Sequence, residues 1–413
     1  MSAPVAIVGA GLAGLCCARE LGRRGVPYTI YEAGDAVGGR IRTDVVDGFR
    51  LDRGFQVLLT AYPEAQRVLD YAALDLRAFD PGARVWTGGG FDTVGDPFRR
   101  PAQALPTLAA SVGSVADKLR VLYLRQSVMR PSLEALWQRP ETSTARALRD
   151  RYGFSQRMVD RFFAPFLGGV LLDPGLGASS RAFEFYFRMF SLGSASVPNA
   201  GMQAIPEQIA AGLADGRLHL GRRAEAVEPG ALVLDGGERV EARAVVVAVD
   251  ASAAPALVPG LEAPTWKSTV QLAWAADEPP VSDPVLLLDG TGKGPVNNVQ
   301  VMSAVAPGYA PPGRSLVTAS VLGDPDGSDE ALDDAARRQL AAWFGSGVRA
   351  WRSLPTSRVP HALPALPSLE PPERPVRLAD GLYVAGDHRR NGSINGAMLA
   401  GRHAAEAVAR DLA

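Results

Sequence analysis

Gly9, Gly11 and Gly14 stand in the spacing GxGxxG, and a carboxylate, Glu32, follows eighteen residues after the last of them. Glycine at the first position permits a tight turn. At the second it lets the backbone approach a pyrophosphate, and at the third it lets a helix pack closely on a strand. Leu12 and Ala13 lie inside the motif, where the unpaired N–H groups of a helix start would point at that pyrophosphate. Glu32, with Ala33 beside it, ends a strand where a carboxylate accepts hydrogen bonds from ribose hydroxyls, and a carboxylate there disfavours NADP. The chemistry these residues point to is dinucleotide binding.

Two further stretches carry residues of the same kind. Gly38-Gly39-Arg40 suits a backbone passing close to a phosphate with a guanidinium beside it. Leu51 to Val57 then approaches the same site, with Gly54 the point of close contact. Near the end, Gly386 and Asp387 follow a strand, and Ser393 can cap a helix that runs to Leu412. That is a second place where backbone N–H groups can meet a ligand.

These residues need elements to hold them. Val5 to Val8 is a short apolar run, as expected of a parallel strand buried on both faces. A helix follows and ends at Gly22 and Gly25, and Tyr28 to Tyr31 is the second strand. Residues 60–100 mix a helix from Pro63 to Tyr71 with short strands, Gly88 to Gly90 making a hairpin turn. Residues 101–215 read as mostly helical. Ala116 to Met129 is an amphipathic helix with Leu119, Leu122, Tyr123 and Val128 expected on its own core, rather than on a membrane surface. The aromatic run from Arg181 to Ser191 reads as core that could in part wall an apolar pocket. A meander over 217–249 returns the chain to the dinucleotide sheet at Ala244 to Val249. Strands follow over 264–325, a helix over Asp329 to Phe344, and a proline-rich, surface-hugging connection over 353–375.

With 43 basic and 44 acidic residues the net charge is −1, which gives no electrostatic case for nucleic acid. Cys16 and Cys17 are neighbours on one helix and point in different directions, so a mutual disulfide is not expected. The four histidines show no metal-ligand spacing, and no metal is expected. The opening apolar run is too short for a signal peptide, and no stretch reaches the ~18 apolar residues of a membrane span. A cytoplasmic protein with at most peripheral membrane contact is expected.

The motifs at 9–43, 224–250 and 382–405 together resemble the flavin superfamily of amine oxidases, protoporphyrinogen oxidases and phytoene desaturases. FFAPFLGGVLLDP at 162–174 and PNAGMQAIPEQIA at 198–210 look similar to its desaturase and protoporphyrinogen-oxidase side. The resemblance implies an α/β fold: a discontinuous Rossmann-like FAD-binding domain (a GR2-type flavoprotein) over 1–80, 216–256 and 370–413. An α+β substrate domain with a mixed sheet would occupy 81–215 and 257–369, its helical part at about 97–215. It also implies non-covalent FAD in extended form. Gly9, Gly11 and Gly14 would frame the pyrophosphate, Glu32 would hold the ribose, and Gly39 and Arg40 would line the phosphates. Val227 would meet the adenine through its backbone, and Gly386 and Asp387 would hold the ribityl region. Ile394 and Ala397 would sit by the isoalloxazine, which Gly54, Phe55, Gln56 and Val57 would pass.

Two departures bear on the substrate. Amine oxidases of this group place a lysine near flavin N5; matching the strand by its closing Asp277-Glu278-Pro279-Pro280 puts Gln271 there, with Lys267 four residues earlier. The aromatic pair that sandwiches an amine is replaced by His388, Asn391 and Ser393. The expectation is therefore hydride transfer from a C–H bond of an apolar, polyene or tetrapyrrole-like substrate to flavin N5; the sequence names no electron acceptor and leaves both dioxygen and a quinone open. Gln271, His361, His388 and Tyr186 are the candidates on the substrate side, His361 being read first as a satisfied loop histidine. The alternatives are a reduced-flavin polyene isomerase, an amine oxidase and a non-catalytic flavin-binding protein.

Overall fold

A computed structural model describes residues 3–369 and 374–413. Residues 370–373, part of the expected segment 370–413 and of the proline-rich connection, lie outside the described residues.

The Val5–Val8 strand is central in a six-stranded sheet. Its neighbours are Tyr28–Tyr31 on one side and Ala244–Val247 on the other, and Leu218–His219, Leu382–Val384 and Arg377–Ala379 extend the sheet outward. All pairings are parallel except the last. Alternation decides what covers each face. Val5, Ile7 and Val246 join the core beneath the Leu12–Arg23 and Ile394–Asp411 helices. Ala6, Val8, Val245 and Val247 point the other way, onto Leu232 and Leu234 of the three-stranded meander. Small residues let the two helices meet closely: a Cβ added at Gly401 would lie 2.1 Å from the Ala13 carbonyl oxygen. This is a discontinuous Rossmann-like sheet, since its strands come from separated parts of the chain.

The second sheet is mixed. Its long strand Trp266–Ala276 pairs antiparallel with Ser315–Leu322, which pairs with Val296–Val301, followed by Leu286–Asp289 and the hairpin Gly82–Trp86 and Phe91–Gly95. One face is apolar: Val270, Leu272, Trp274, Val299, Val317 and Ala319 pack with Leu332, Ala336 and Leu340 of the Asp329–Phe344 helix. The other face carries the polar residues Thr269, Gln271, Asn298, Gln300, Thr318 and Ser320, all buried. The expected connection over 353–375 contains a strand instead, Ser357–Pro364, paired antiparallel with Trp266–Ala276. Pro360 and Pro364 are tolerated because this is an edge strand, where a missing N–H leaves no ladder bond open.

The Val115–Met129 helix starts on a capping box between Ser114 and Asp117. Its orientation corrects the expectation that Leu119, Leu122, Tyr123 and Val128 share a core face. Leu124 and Val128 are buried, whereas Val115, Leu119, Leu122 and Tyr123 are exposed. The helix has two apolar stripes on nearly opposite sides, and the Ser180–Leu192 helix takes only one of them. Among the described residues no helix is long and apolar enough to cross a membrane.

Candidate functional site

A cavity of about 840 Å³ opens at the carboxyl ends of the Val5–Val8 and Ala244–Val247 strands and runs to the polar face of the second sheet. The glycine motif forms its first wall. Gly9 turns with φ +102° and donates its N–H to the Tyr31 carbonyl at 2.8 Å. A Cβ at Gly14 would lie 1.9 Å from the Gly9 carbonyl oxygen, so this glycine serves close packing. A Cβ at Gly11 would meet nothing within 4 Å, because that residue faces the cavity. Gly11 is also the N-cap of the opening helix, and no side chain caps it. The first-turn residues Leu12 and Ala13 thus border open space suited to an anion.

Glu32 reaches this turn. One carboxylate oxygen accepts the Ala10 N–H and the other the Gly34 N–H, each at 2.7 Å. Both bonds fix the carboxylate at the cavity wall with lone pairs to spare for hydroxyls. Gly38 donates to the Ala10 carbonyl at 2.9 Å, which brings Gly39 and Arg40 alongside. The Arg40 guanidinium binds Asp387 at 2.6 Å and the Ala362 carbonyl at 3.1 Å, with Asp250 at 3.7 Å and the Trp266 ring 5.3 Å away. Burial alone would depress the Arg40 pKa, but Asp387 and Asp250 outweigh it and the net shift is upward. Ser393 caps the closing helix by accepting the Gly396 N–H at 2.9 Å, and Ile394 and Ala397 line the cavity beside it.

Gly54, Phe55, Gln56 and Val57 line the middle of the cavity. Gly54 sits at φ +86°, and Gln56 donates to the Arg40 carbonyl at 3.0 Å. Opposite Gly54 stands Thr269, whose methyl would lie 3.7 Å from a Cβ placed there. The remaining wall comes from the Ala164–Leu171 and Ser180–Leu192 helices and the second sheet. It presents Phe166, Val170, Leu172, Phe190, Leu286 and Leu288, with Tyr186, Thr269, Asn298 and Ser320 as its polar groups. No Asp, Glu, Lys, Arg or His from these elements lines the cavity. Leu172 holds a left-handed backbone, φ +48°, uncommon for a branched residue and the kind of strain that collects at binding sites.

The structure gathers nearly all the expected cofactor residues at this one cavity: Gly9, Gly11, Leu12, Ala13, Glu32, Ala33, Gly39, Arg40, Gly54 to Val57, Gly386, Asp387, Ser393, Ile394 and Ala397. Gly14 lies just behind the wall. Val227 does not line it; Arg223, Ala224 and Glu225 do, and the Val227 side chain packs with the meander. Of the four candidates on the substrate side, only Tyr186 lines the cavity, its hydroxyl donating to the Gly392 carbonyl at 2.9 Å. Burial pushes that phenol well above its usual range. Gln271 points to the same sheet face as Thr269 but is buried two residues further along, so Thr269 takes the place at the cavity. Lys267 pairs with Asp173 at 3.5 Å outside this cavity. His361 is on the edge strand, its ring tilted against Trp266 at 5.1 Å and 3.9 Å from Asp250. His388 is buried behind Gly386, its pKa pushed down to about 4, mainly by burial and further by Arg389, Arg40 and Arg374, against the pull of Asp387.

Sequence reasoning missed Thr269, Asn298, Ser320 and the Ala164–Leu171 helix as wall. A signal existed: polar residues alternate inside apolar strands, as in Val296-Asn297-Asn298-Val299-Gln300-Val301. A polar row on one face of a buried sheet marks a lined space rather than a packed core.

Residues 12–409 match the family described as flavin containing amine oxidoreductase. Protoporphyrinogen oxidase 2 (chloroplastic/mitochondrial) of Arabidopsis thaliana is 29% identical over 166 residues, 40% of this chain and 32% of that protein. The match thus spans about a third of that relative's length. Hydroxysqualene dehydroxylase of Rhodopseudomonas palustris is 27% identical along 99% of both chains. The crystal structure of an oxidoreductase from Methanosarcina mazei superposes with a TM-score of 0.74 at 19% identity, covering 98% of this chain and 100% of that one. At that identity the likeness shows the fold alone.

Proposed function

The chain belongs to the flavin containing amine oxidoreductase family and is a flavin-dependent oxidoreductase; we propose that its cofactor is FAD without a covalent bond, and that its substrate is an apolar small molecule of polyene or tetrapyrrole kind. The observation that carries the substrate class is the wall beyond Gly54. It is built from aromatic and aliphatic side chains, and its elements bring no ionised group to the cavity. An amine substrate enters as a cation, and this wall offers it no carboxylate. The hydroxysqualene and protoporphyrinogen in two relatives' names fit the same class.

In this reading the Leu12 and Ala13 N–H groups bind the pyrophosphate, Glu32 binds the adenosine ribose, and Arg40 with Asp387 holds the phosphate–ribityl region. Arg223 to Glu225 border the adenine end, rather than Val227. Ser393, Ile394 and Ala397 flank the ring, with Gly54 to Val57 across from them. Cys16 and Cys17 are buried and free, and the Cys16 thiol is pushed up to about 12 by burial, which argues against a thioether to the flavin.

Bound flavin would supply the two-electron acceptor for oxidation of the substrate. The chain's own part is to orient and to exclude water. Phe166, Phe190 and Leu288 hold an apolar substrate by burial, and Thr269, Asn298 and Ser320 offer hydroxyl and amide groups to one edge of it. Tyr186 stays a phenol and acts in position, bonded to Gly392. No side chain of that wall takes up a proton near neutral pH, so the reading calls for a substrate that gives up its proton without a strong base.

The test is anaerobic mixing of the FAD-loaded protein with squalene-type polyenes, porphyrinogens and polyamines. Loss of the oxidised-flavin absorbance with the apolar compounds alone is the expected result. Rapid bleaching by amines alone would overturn the substrate class. Product formed only with pre-reduced flavin, and with no acceptor consumed, would replace net oxidation by isomerisation.

A further inference from the structure

We propose that the second-sheet side of the cavity is a subsite for an alcohol hydroxyl, so that the substrate is an apolar molecule carrying one such group. This rests on the proposed apolar substrate class and narrows it. Ser320, Asn298 and Thr269 line the cavity there, and each is more than nine-tenths buried. What each can offer a ligand is set by the bonds it already makes. Asn297 uses both amide N–H groups within the chain, one on the Pro165 carbonyl at 2.9 Å and one on Asn298 Oδ1 at 2.8 Å. Asn298 is thereby oriented, and its Nδ2 donates to Ser320 Oγ at 3.1 Å. Ser320 is the acceptor in that bond, and among the described residues its own proton goes to no partner. Thr269 is committed the other way. Its hydroxyl donates to the Val321 carbonyl at 2.9 Å, which leaves only lone pairs for a ligand.

Register brings this donor and this acceptor together. Ser320 stands directly across from Gln271, and Thr269 lies two residues before Gln271 on the same strand face. Diagonal neighbours of this kind are roughly 7–8 Å apart, with their side chains closer, a gap that one oxygen bridges by two hydrogen bonds. Gln271 Oε1 is buried without a hydrogen-bond partner among the described residues, which adds a second acceptor opposite Ser320. The Ala164–Leu171 helix closes over the relay at Gly169. A Cβ there would lie 3.1 Å from Asn297 Nδ2 and 3.3 Å from Asn298 Oδ1, so the amides are held between helix and sheet.

Chemistry selects the group that fits. An alcohol oxygen accepts from Ser320 and gives its own proton to Thr269, so both are answered at once. A carbonyl or an ether serves Ser320 alone, and an ammonium serves Thr269 alone. A hydrocarbon serves neither and covers both, which costs the desolvation of unpaired polar groups. A carboxylate would bring a charge that no cation of these elements meets in the cavity. The surroundings limit the polar part to one group: Leu288 stands directly across from Asn298, and Val170 lines the wall beside them.

The experiment is equilibrium dialysis of the FAD-loaded full chain, its flavin kept reduced to prevent turnover, against three probes of one skeleton: farnesol, farnesal and farnesene. The alcohol is expected to bind at least about tenfold more tightly than the hydrocarbon. Ser320→Ala is expected to weaken both the alcohol and the aldehyde, and Thr269→Val the alcohol only, while FAD content and hydrocarbon affinity stay near the parent's. A merely structural role for either residue would weaken all three probes alike, and that result would overturn the proposal. So would a parent that binds alcohol and hydrocarbon equally, or a preference for the alcohol that survives Ser320→Ala. Hydrocarbon binding without that preference overturns this inference alone. Failure of all three probes to bind overturns the apolar substrate class and this inference with it, so the two failures are distinguishable.

Discussion

Arg40 and Asp387, 347 positions apart in the chain, meet at 2.6 Å on the cavity wall. The contact ties the N-terminal glycine segment to the C-terminal strand end, and Arg40 reaches Asp250 and Ala362 from the same point. Asp387 is buried, so it depends on this partner.

Arg40→Ala is expected to weaken FAD binding at least about tenfold and to destabilise the chain by about 1–3 kcal/mol, a figure already reduced for the partial exposure of Arg40. Arg40→Lys should recover only part of both, because an ammonium cannot serve Asp387 and Ala362 with a planar fork. Flavin titration of the apoprotein and its melting temperature check this.

Gly11→Ala and Gly14→Ala should separate binding from folding. A Cβ at Gly11 enters open cavity, so this variant is expected to melt near the parent temperature in the apo form and to bind FAD at least about tenfold more weakly. A Cβ at Gly14 collides with the Gly9 carbonyl, so that variant is expected to lose about 3 kcal/mol or more of stability before any ligand is added. Equal behaviour of the two would contradict the assigned roles.

How much of this was legible in the sequence depended on what each residue must satisfy. The glycine motif, Glu32 and the Asp387–Ser393 turn answer to backbone demands within a few residues, so their spacing alone located them. Thr269 answers to the register of a sheet assembled from residues 82 to 364; anchoring the strand by its closing prolines led to Gln271, which is buried two positions from Thr269, the residue of that strand that lines the cavity. The Val115–Met129 helix shows a different limit. Periodicity gives a stripe but not the side on which the core lies, and this helix has two stripes.

His388 provides a pH signature. Its folded pKa is depressed to about 4 from 6.5, mainly by burial. Its stabilising contribution is therefore complete above pH 6.5, where both states hold it neutral. It is lost as pH falls from 6.5 toward 4, where only the unfolded chain takes up the proton. The loss is about 3 kcal/mol at most. Melting temperatures of the apoprotein should fall in that window, and His388→Gln should flatten the slope. An unchanged slope would place the titration elsewhere.

Tyr186→Phe removes one hydrogen bond, to the Gly392 carbonyl, and is expected to cost about 1 kcal/mol of stability and less than about tenfold in the rate of flavin reduction. A general base would show a drop of 100-fold or more, on the order of what proton transfer contributes. Single-turnover reduction of the parent and the variant distinguishes positioning from proton transfer.

The central claim is that this cavity holds FAD, non-covalently, against the Gly9–Gly14 turn. Its most direct test is the absorbance spectrum of the purified protein, taken before and after acid precipitation. The account predicts flavin bands that move to the supernatant, and FAD that restores them when added to the stripped protein. Flavin that stays with the pellet would contradict non-covalent binding, and a colourless protein that FAD cannot reconstitute would contradict the site itself.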